Sequence, residues 1–226
     1  MPVQLPLSLS IRPRVDFSAF IVGRNGEAVS RLRGESDPFI YLWGVSGSGK
    51  SHLLQACCHQ EQLEQGQPAY LPFKSEHGLE PAMLEGLESF SLVCLDDLEV
   101  LAAREDWELA IFSLFNQLRE AGSRLIVSSD RPPAQLPLEL ADLASRLTWG
   151  PCYQLFPLND EERLELLIRS AERRGMTMSV EIANFLLQRT PRDIHYLTLL
   201  IERLDRASLA AQRRLTIPFV REILNL

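Results

Sequence analysis

The chain has 226 residues, 46% hydrophobic and 23% charged, with a formal net charge of −7; these are ordinary globular values, enough to bury a real core. No run of about 18 apolar residues occurs and the N-terminus lacks a basic-then-apolar secretory layout, so neither a membrane span nor a signal peptide is expected and a cytoplasmic protein is. Residues 1–157 carry 12 basic against 20 acidic side chains and residues 158–226 carry 11 against 10, so neither part has the basic excess of a duplex-binding surface, and protein partners are expected instead.

Residues 1–16 hold Pro2, Pro6 and Pro13 and no helical period, which predicts an extended tail. Within it Gln4-Leu5-Pro6-Leu7-Ser8-Leu9 can seat Leu5, Leu7 and Leu9 in a groove while Gln4 makes a polar contact, or can be a plain terminus. Phe20, Ile21, Val22 and Gly23 follow in an apolar stretch that serves either as a flat pocket for a purine base or as a packing segment. A helix is expected from Glu27 to Leu32, then a loop into the strand Phe39-Ile40-Tyr41-Leu42-Trp43. Directly after it stands Gly44-Val45-Ser46-Gly47-Ser48-Gly49-Lys50-Ser51, the phosphate-loop pattern in the strand-turn-helix context it requires. Gly44, Gly47 and Gly49 let backbone N–H groups turn inward toward phosphate oxygens. The helix beginning near Lys50 adds its positive end. Lys50 is placed to reach the terminal phosphates and Ser51 to ligate magnesium, with Ser48 and His52 on either side of the pair.

Gln67-Pro68 breaks the chain, Ala69-Tyr70-Leu71-Pro72-Phe73 reads as a short strand whose proline puts it near a sheet edge, and Pro81 to Leu87 reads as a helix. Ser91 to Asp97 is an uninterrupted apolar strand ending in two acids, the signature of a strand covered on both faces. Asp96 stands where a metal-orienting carboxylate belongs; Asp97 is a candidate general base with one methylene less reach than a glutamate. An amphipathic helix is expected over Glu105 to Ala121, stopped by Gly122, then a buried strand through Asp130 ended by Arg131-Pro132-Pro133. Asp130 or Ser129 can sense a terminal phosphate or simply form the turn. A helix over Leu138 to Leu147 would present Arg146 at its end, where an arginine can point into a neighbouring molecule's nucleotide. A last strand is read at Tyr153 to Phe156.

Beyond Asp160 only helical spacing remains, over Asp160 to Arg174, Ser179 to Arg189, Pro191 to Leu209 and Ile217 to Leu224. Thr190-Pro191-Arg192-Asp193 reads as a capping box with proline in the first turn, placing Arg192 at a helix start. The expected organisation is a tail (1–16), an α/β nucleotide-binding domain with five strands (17–157) and a small all-α domain (158–226). Cys57, Cys58, Cys94 and Cys152 lack metal-ligand spacing and are expected as buried thiols.

Taken in order, these features resemble the AAA+ ATPases and, within them, the DnaA family, closest to its short regulatory-inactivator branch. The resemblance is carried by Phe20 to Asn25, the phosphate loop, Cys94 to Leu98, Ser128 to Pro133, Leu143 to Gly150 and Leu215 to Leu226. It implies a parallel five-stranded AAA+ sheet flanked by helices and followed by a helical lid, with ADP or ATP and Mg2+ as ligands. By position Lys50 and Ser51 match Walker A, Asp96 and Asp97 Walker B, Asp130 sensor 1, Arg146 the arginine finger and Arg192 sensor 2. Gln4 to Leu9 is similar to the family's peptide for the DNA polymerase III sliding clamp, through which DNA would be reached. With the sequence ending at Leu226, the initiator's helix-turn-helix domain is not expected. The resemblance thus implies a negative regulator that stimulates ATP hydrolysis by the ATP form of the initiator DnaA in trans; a homodimer would satisfy the same finger logic. The phosphate loop is complete, so hydrolysis of its own stays open. The rival reading is an autonomous AAA+ ATPase of the helicase-loader type on single-stranded DNA, which would want basic grooves with aromatic platforms. A phosphate-loop kinase would want an arginine-rich lid and an acceptor pocket.

Overall fold

The computed structural model describes residues 15–34, 37–74 and 79–225. The chain divides into two compact units, Met1–Pro157 and Leu158–Leu226. Unit 1 holds α1 (Gly26–Arg33), β1 (Phe39–Trp43), α2 (Lys50–Leu63), β2 (Pro68–Pro72), β3 (Leu92–Asp96), α3 (Glu105–Ala121), β4 (Arg124–Ser129), α4 (Ala141–Arg146) and β5 (Cys152–Gln154). The five strands form one parallel sheet in the order β2-β3-β4-β1-β5. The proline-flanked β2 is an edge strand, where a missing N–H is tolerated.

Alternate side chains of the inner strands feed two cores, as the two-residue strand period dictates. Phe39, Tyr41, Val93, Leu95, Leu125 and Val127 pack with α3 residues such as Trp107, Ile111 and Leu114. Ile40, Leu42, Leu92, Cys94 and Ile126 pack with Val29 and Leu32 of α1 and with Leu53, Leu54 and Cys58 of α2. The sheet register sets Trp43 beside Ser129 and Leu95 beside Val127. Parallel strands therefore deliver the phosphate loop, Asp96 and the β4 exit to one edge of the sheet, where open α/β sheets bind ligands.

Unit 2 is α5 (Asp160–Glu172), α6 (Val180–Arg189), α7 (Ile194–Ala211) and α8 (Ile217–Leu224), around a core that includes Leu167, Ile182, Leu186, Leu200, Leu204 and Phe219. Among the described residues no helix is long and apolar enough to cross a membrane.

Five expectations are corrected. Residues 81–87 form no α-helix but two 3-10 turns, Pro81–Leu84 and Leu87–Ser89, because Glu85 is extended and Gly86 takes φ +84° between them. The last strand is Cys152–Gln154, and Cys152 on this edge strand is exposed, unlike the other three cysteines. The helix expected from Leu138 starts at Ala141, since Leu140 before it is extended (φ −82°, ψ +101°); the N–H groups of Glu139 and Leu140 donate to the Glu108 carboxylate. Thr190 caps no helix start: it ends α6, its hydroxyl donating to the Leu186 carbonyl (2.8 Å), while Asp193 is the N-cap of α7, leaving Arg192 one residue outside that helix.

Candidate functional site

At the carboxyl end of β1 the chain turns through the phosphate loop, anchored by Gly44 N–H donating to the Ser129 carbonyl (3.2 Å) and Leu155 N–H to the Trp43 carbonyl (2.7 Å). A Cβ on Gly44 would lie 2.5 Å from the Leu155 carbonyl oxygen, and one on Gly49 would lie 2.6 Å from the Phe20 ring at a backbone φ of +97°. Both positions therefore require glycine, the second for left-handed backbone as well as space. α2 starts at Lys50 behind Gly49, with no side chain capping it, so its positive end faces the loop. Lys50 is buried, its Nζ donating to the carbonyls of Gly44 (2.6 Å) and Val45 (3.3 Å), and the Ser48 hydroxyl is buried without a hydrogen-bond partner. A cradle of backbone N–H groups, one ammonium and one orphaned hydroxyl fits a phosphate group.

Phe20 packs on this loop and on His52, with ring centroids 5.5 Å apart, and His52 Nε2 lies 3.0 Å from the Asp16 carbonyl. Phe20 and Ile21 are core side chains, whereas Val22 and Gly23 are exposed. Asn25 fastens this segment by accepting from Phe156 N–H (2.8 Å) and donating to its carbonyl (3.0 Å).

The second half of the site is a buried hydroxyl–carboxylate chain. Asp96 is 1% exposed; one carboxylate oxygen accepts from the Tyr70 hydroxyl (2.7 Å), the other from the Ser128 hydroxyl. Tyr70 OH accepts from Gln55 Nε2 (3.2 Å), and Ser128 Oγ accepts from Asp97 N–H (3.0 Å). One network thus ties α2, β2, β3 and β4 around the acids. Burial and then the Asp96 charge push the Tyr70 hydroxyl well above its ordinary range, keeping it a donor. Asp97 sits just past β3 at φ +61°. Burial, then the negative neighbours Asp96 and Glu99, raise it to about 6. Tyr70, Gln55 and Ser128 are site residues that sequence reasoning misses; the only signal is a hydroxyl in an otherwise apolar strand. Ser51 lies in the first turn of α2, partly buried.

Asp130 is exposed and paired in two-pronged fashion with Arg131 (2.7 and 2.9 Å), which lowers its pKa. Arg192 of unit 2 is paired with Asp160 (2.7 Å), as is Arg163 (2.8 Å). Gln4, Leu5, Leu7 and Leu9 lie outside the described residues.

Arg146 is the last residue of α4 and is not gathered with the loop. Its guanidinium lies 3.9 Å from the Trp149 ring centroid, and Trp149 meets Phe115 edge-on. The next residue, Gly150, abuts Phe39, the first residue of β1, whereas the phosphate loop follows the last. At about 3.3 Å per residue a five-residue strand separates the two places by about 13 Å.

The bacterial DnaA ATPase domain family matches residues 12–154, and the family described as the Hda lid domain matches residues 160–224. Among solved structures, the chain is similar to domain III of the Thermotoga maritima replication initiation protein DnaA, at 20% identity and a TM-score of 0.79 over 94% of this chain and 96% of that one. AMPPCP-bound DnaA from Aquifex aeolicus matches at 23% identity and a TM-score of 0.69, over 88% of this chain and 67% of that one. The Thermotoga maritima RuvB Holliday junction branch migration motor matches at 17% identity and a TM-score of 0.68, over 95% and 72%. At these identities the likeness is one of fold: a parallel AAA+ sheet flanked by helices and followed by a helical lid.

Proposed function

The chain belongs to the family of the bacterial DnaA ATPase domain, and on that premise we propose that it is a nucleotide-loaded regulator that ends the active state of the replication initiator DnaA by presenting Arg146 to the initiator's ATP. The observation that carries this reading is the separation along β1: the Arg146 cluster and the phosphate loop stand at opposite ends of the same strand. An arginine so placed serves a nucleotide held by another molecule better than its own. The match of residues 160–224 to the Hda lid supports a regulator rather than another branch.

In its own site the chain would hold ADP or ATP between the loop, Lys50 and the Phe20 to Gly23 segment. Mg2+, when bound, neutralises phosphate charge. Ser51 would ligate it directly, and Asp96, whose oxygens each already accept a hydroxyl, through a bound water. Asp130 reads as sensor 1 and Arg192 as sensor 2. Asp97, raised to about 6, is the candidate base, short of reach. On the initiator, the Arg146 guanidinium would spread the charge that develops as the γ-phosphate leaves. Gln4, Leu5, Leu7 and Leu9 would dock in the apolar pocket of the sliding clamp and so reach DNA. A homodimer would bring Arg146 to its partner's loop by the same geometry.

The test mixes initiator–ATP, clamp-loaded DNA and this protein, and measures released phosphate. Arg146→Ala is expected to lower the stimulated rate on the order of a thousandfold with ADP affinity unchanged. Removing residues 1–10 is expected to abolish clamp capture. Normal stimulation by Arg146→Ala would overturn the reading.

A further inference from the structure

Trp149 is 56% exposed, yet its main chain is tied down on both sides. Its N–H donates to the Arg146 carbonyl (3.1 Å), and the Thr148 hydroxyl closes the same turn on the Ser145 carbonyl (2.7 Å). A Cβ on Gly150 would collide with the Phe39 carbonyl oxygen, so the main chain after the indole is pressed against β1. The ring meets Phe115 edge-on at 6.4 Å. Two guanidinium groups face this one indole, Arg146 at 3.9 Å and Arg119 at 5.3 Å from its centroid. Among the described residues neither arginine makes a salt bridge, in contrast to Arg131, Arg163, Arg174 and Arg192.

We propose that Trp149 is the positioning residue for Arg146: the indole face holds the guanidinium flat and leaves its in-plane N–H edge open to a phosphate carried by a neighbouring molecule. The inference deepens the trans-arginine reading of Arg146 and rests on it. Its chemistry is a division of surfaces. A guanidinium attracts an aromatic ring through its face and a phosphate through its edge, so the stack fixes the side chain without consuming any of its five donors. A carboxylate partner would have fixed it by occupying those donors. The second cation, Arg119, adds positive potential and favours an anionic visitor over a neutral one.

The test compares Trp149→Ala, Trp149→Leu and Trp149→Phe in the reconstituted reaction of initiator–ATP, clamp-loaded DNA and full-length protein. Loss of the stack is expected to lower the stimulated turnover about five- to tenfold in the Ala and Leu variants, while the half-saturating protein concentration stays within about twofold. Trp149→Phe, which restores a π face, is expected to recover part of the rate, whereas leucine, equally apolar, is not. In an Arg146→Ala background Trp149→Leu is expected to cause no further loss. Melting temperatures of the variants verify folding. Wild-type turnover in Trp149→Leu, or equal losses in Trp149→Leu and Trp149→Phe, overturns the positioning role. If Arg146→Ala abolishes stimulation and Trp149→Leu does not, only the platform falls; if Arg146→Ala stimulates normally, both inferences fall together.

Discussion

The helices of the two units begin differently. Each helix of unit 2 is closed by its own N-cap side chain: Asn159, Ser179, Asp193 and Thr216 accept from the N–H groups of Glu162, Ile182, Tyr196 and Phe219. None of α1 to α4 has such a bond. Asn25 stands at the N-cap of α1, yet its amide is spent on Phe156. Glu108, in the first turn of α3, accepts from Ala103, Glu139 and Leu140 instead. Helices packed on a buried sheet draw stability from area removed from water, which frees the polar groups at their starts to fasten loops or meet a ligand. Lid helices without a sheet rely on local caps. Asp160 of unit 2 is held by Arg163 and Arg192, whereas Asp96 and Asp97 lie side by side and make no salt bridge among the described residues.

If the open start of α2 is reserved for phosphate, closing it should be the most damaging change. Gly49→Asp places a carboxylate at that N-cap, where two unit charges about 4 Å apart at an effective dielectric near 20 repel by about 4 kcal/mol, and Gly49→Asn, which meets the same Phe20 ring and the same φ of +97° without the charge, measures the steric part of the loss. ADP affinity, measured by calorimetry, is expected to fall by about a hundredfold or more. Affinity within threefold of wild type would mean that α2 is uncapped for no ligand's sake.

The opposite manipulation sharpens the contrast. Asp193→Ala removes a cap from unit 2 and is expected to cost about 1 kcal/mol. Amide exchange should speed at the first turn of α7, while ADP affinity stays put. Unchanged exchange there would remove the claim that caps hold these helices.

Much of this is legible in the sequence because it is local. The phosphate loop, α3 with its Gly122 stop and α8 behind Thr216 all follow from period and terminal residues within a few positions. What is missed depends on partners far along the chain. Glu108, 31 residues before Glu139, fastens the extended segment ahead of α4 by accepting from the N–H groups of Glu139 and Leu140. Tyr70 reaches Asp96 from a neighbouring strand 26 residues away. The start of α7 is a choice between Thr190 and Asp193, both acceptable caps, and the aspartate prevails because Thr190 turns its hydroxyl back onto α6. The stack of Arg146 on Trp149 lies three residues apart and is open to inspection, but nothing in the sequence says which face of so short a helix the ring will take.

The unpaired acids give the smallest and most specific expectation. Asp97 is raised to about 6, first by burial and then by Asp96 and Glu99, so the folded chain binds this proton more tightly than the unfolded chain does. Between about pH 4 and pH 6 the folded state therefore holds more protons, and this residue makes stability fall as pH rises through that window and level off above it. The sign is the reverse of that for Asp130, whose pKa the hydrogen-bonded Arg131 lowers, so that its contribution is lost as pH falls. Asp97 is only partly buried, so solvent screening limits the effect to on the order of 1 kcal/mol. Asp97→Asn keeps the shape and removes the charge. Its melting temperature near neutral pH is expected to exceed that of wild type by a few degrees, and the gap should close near pH 4, where the wild-type carboxyl is already protonated. A gap that stays constant across that range would assign the stabilisation to something other than the charge of Asp97. A gap that closes would establish that Asp97 is kept charged beside Asp96 at a cost in stability.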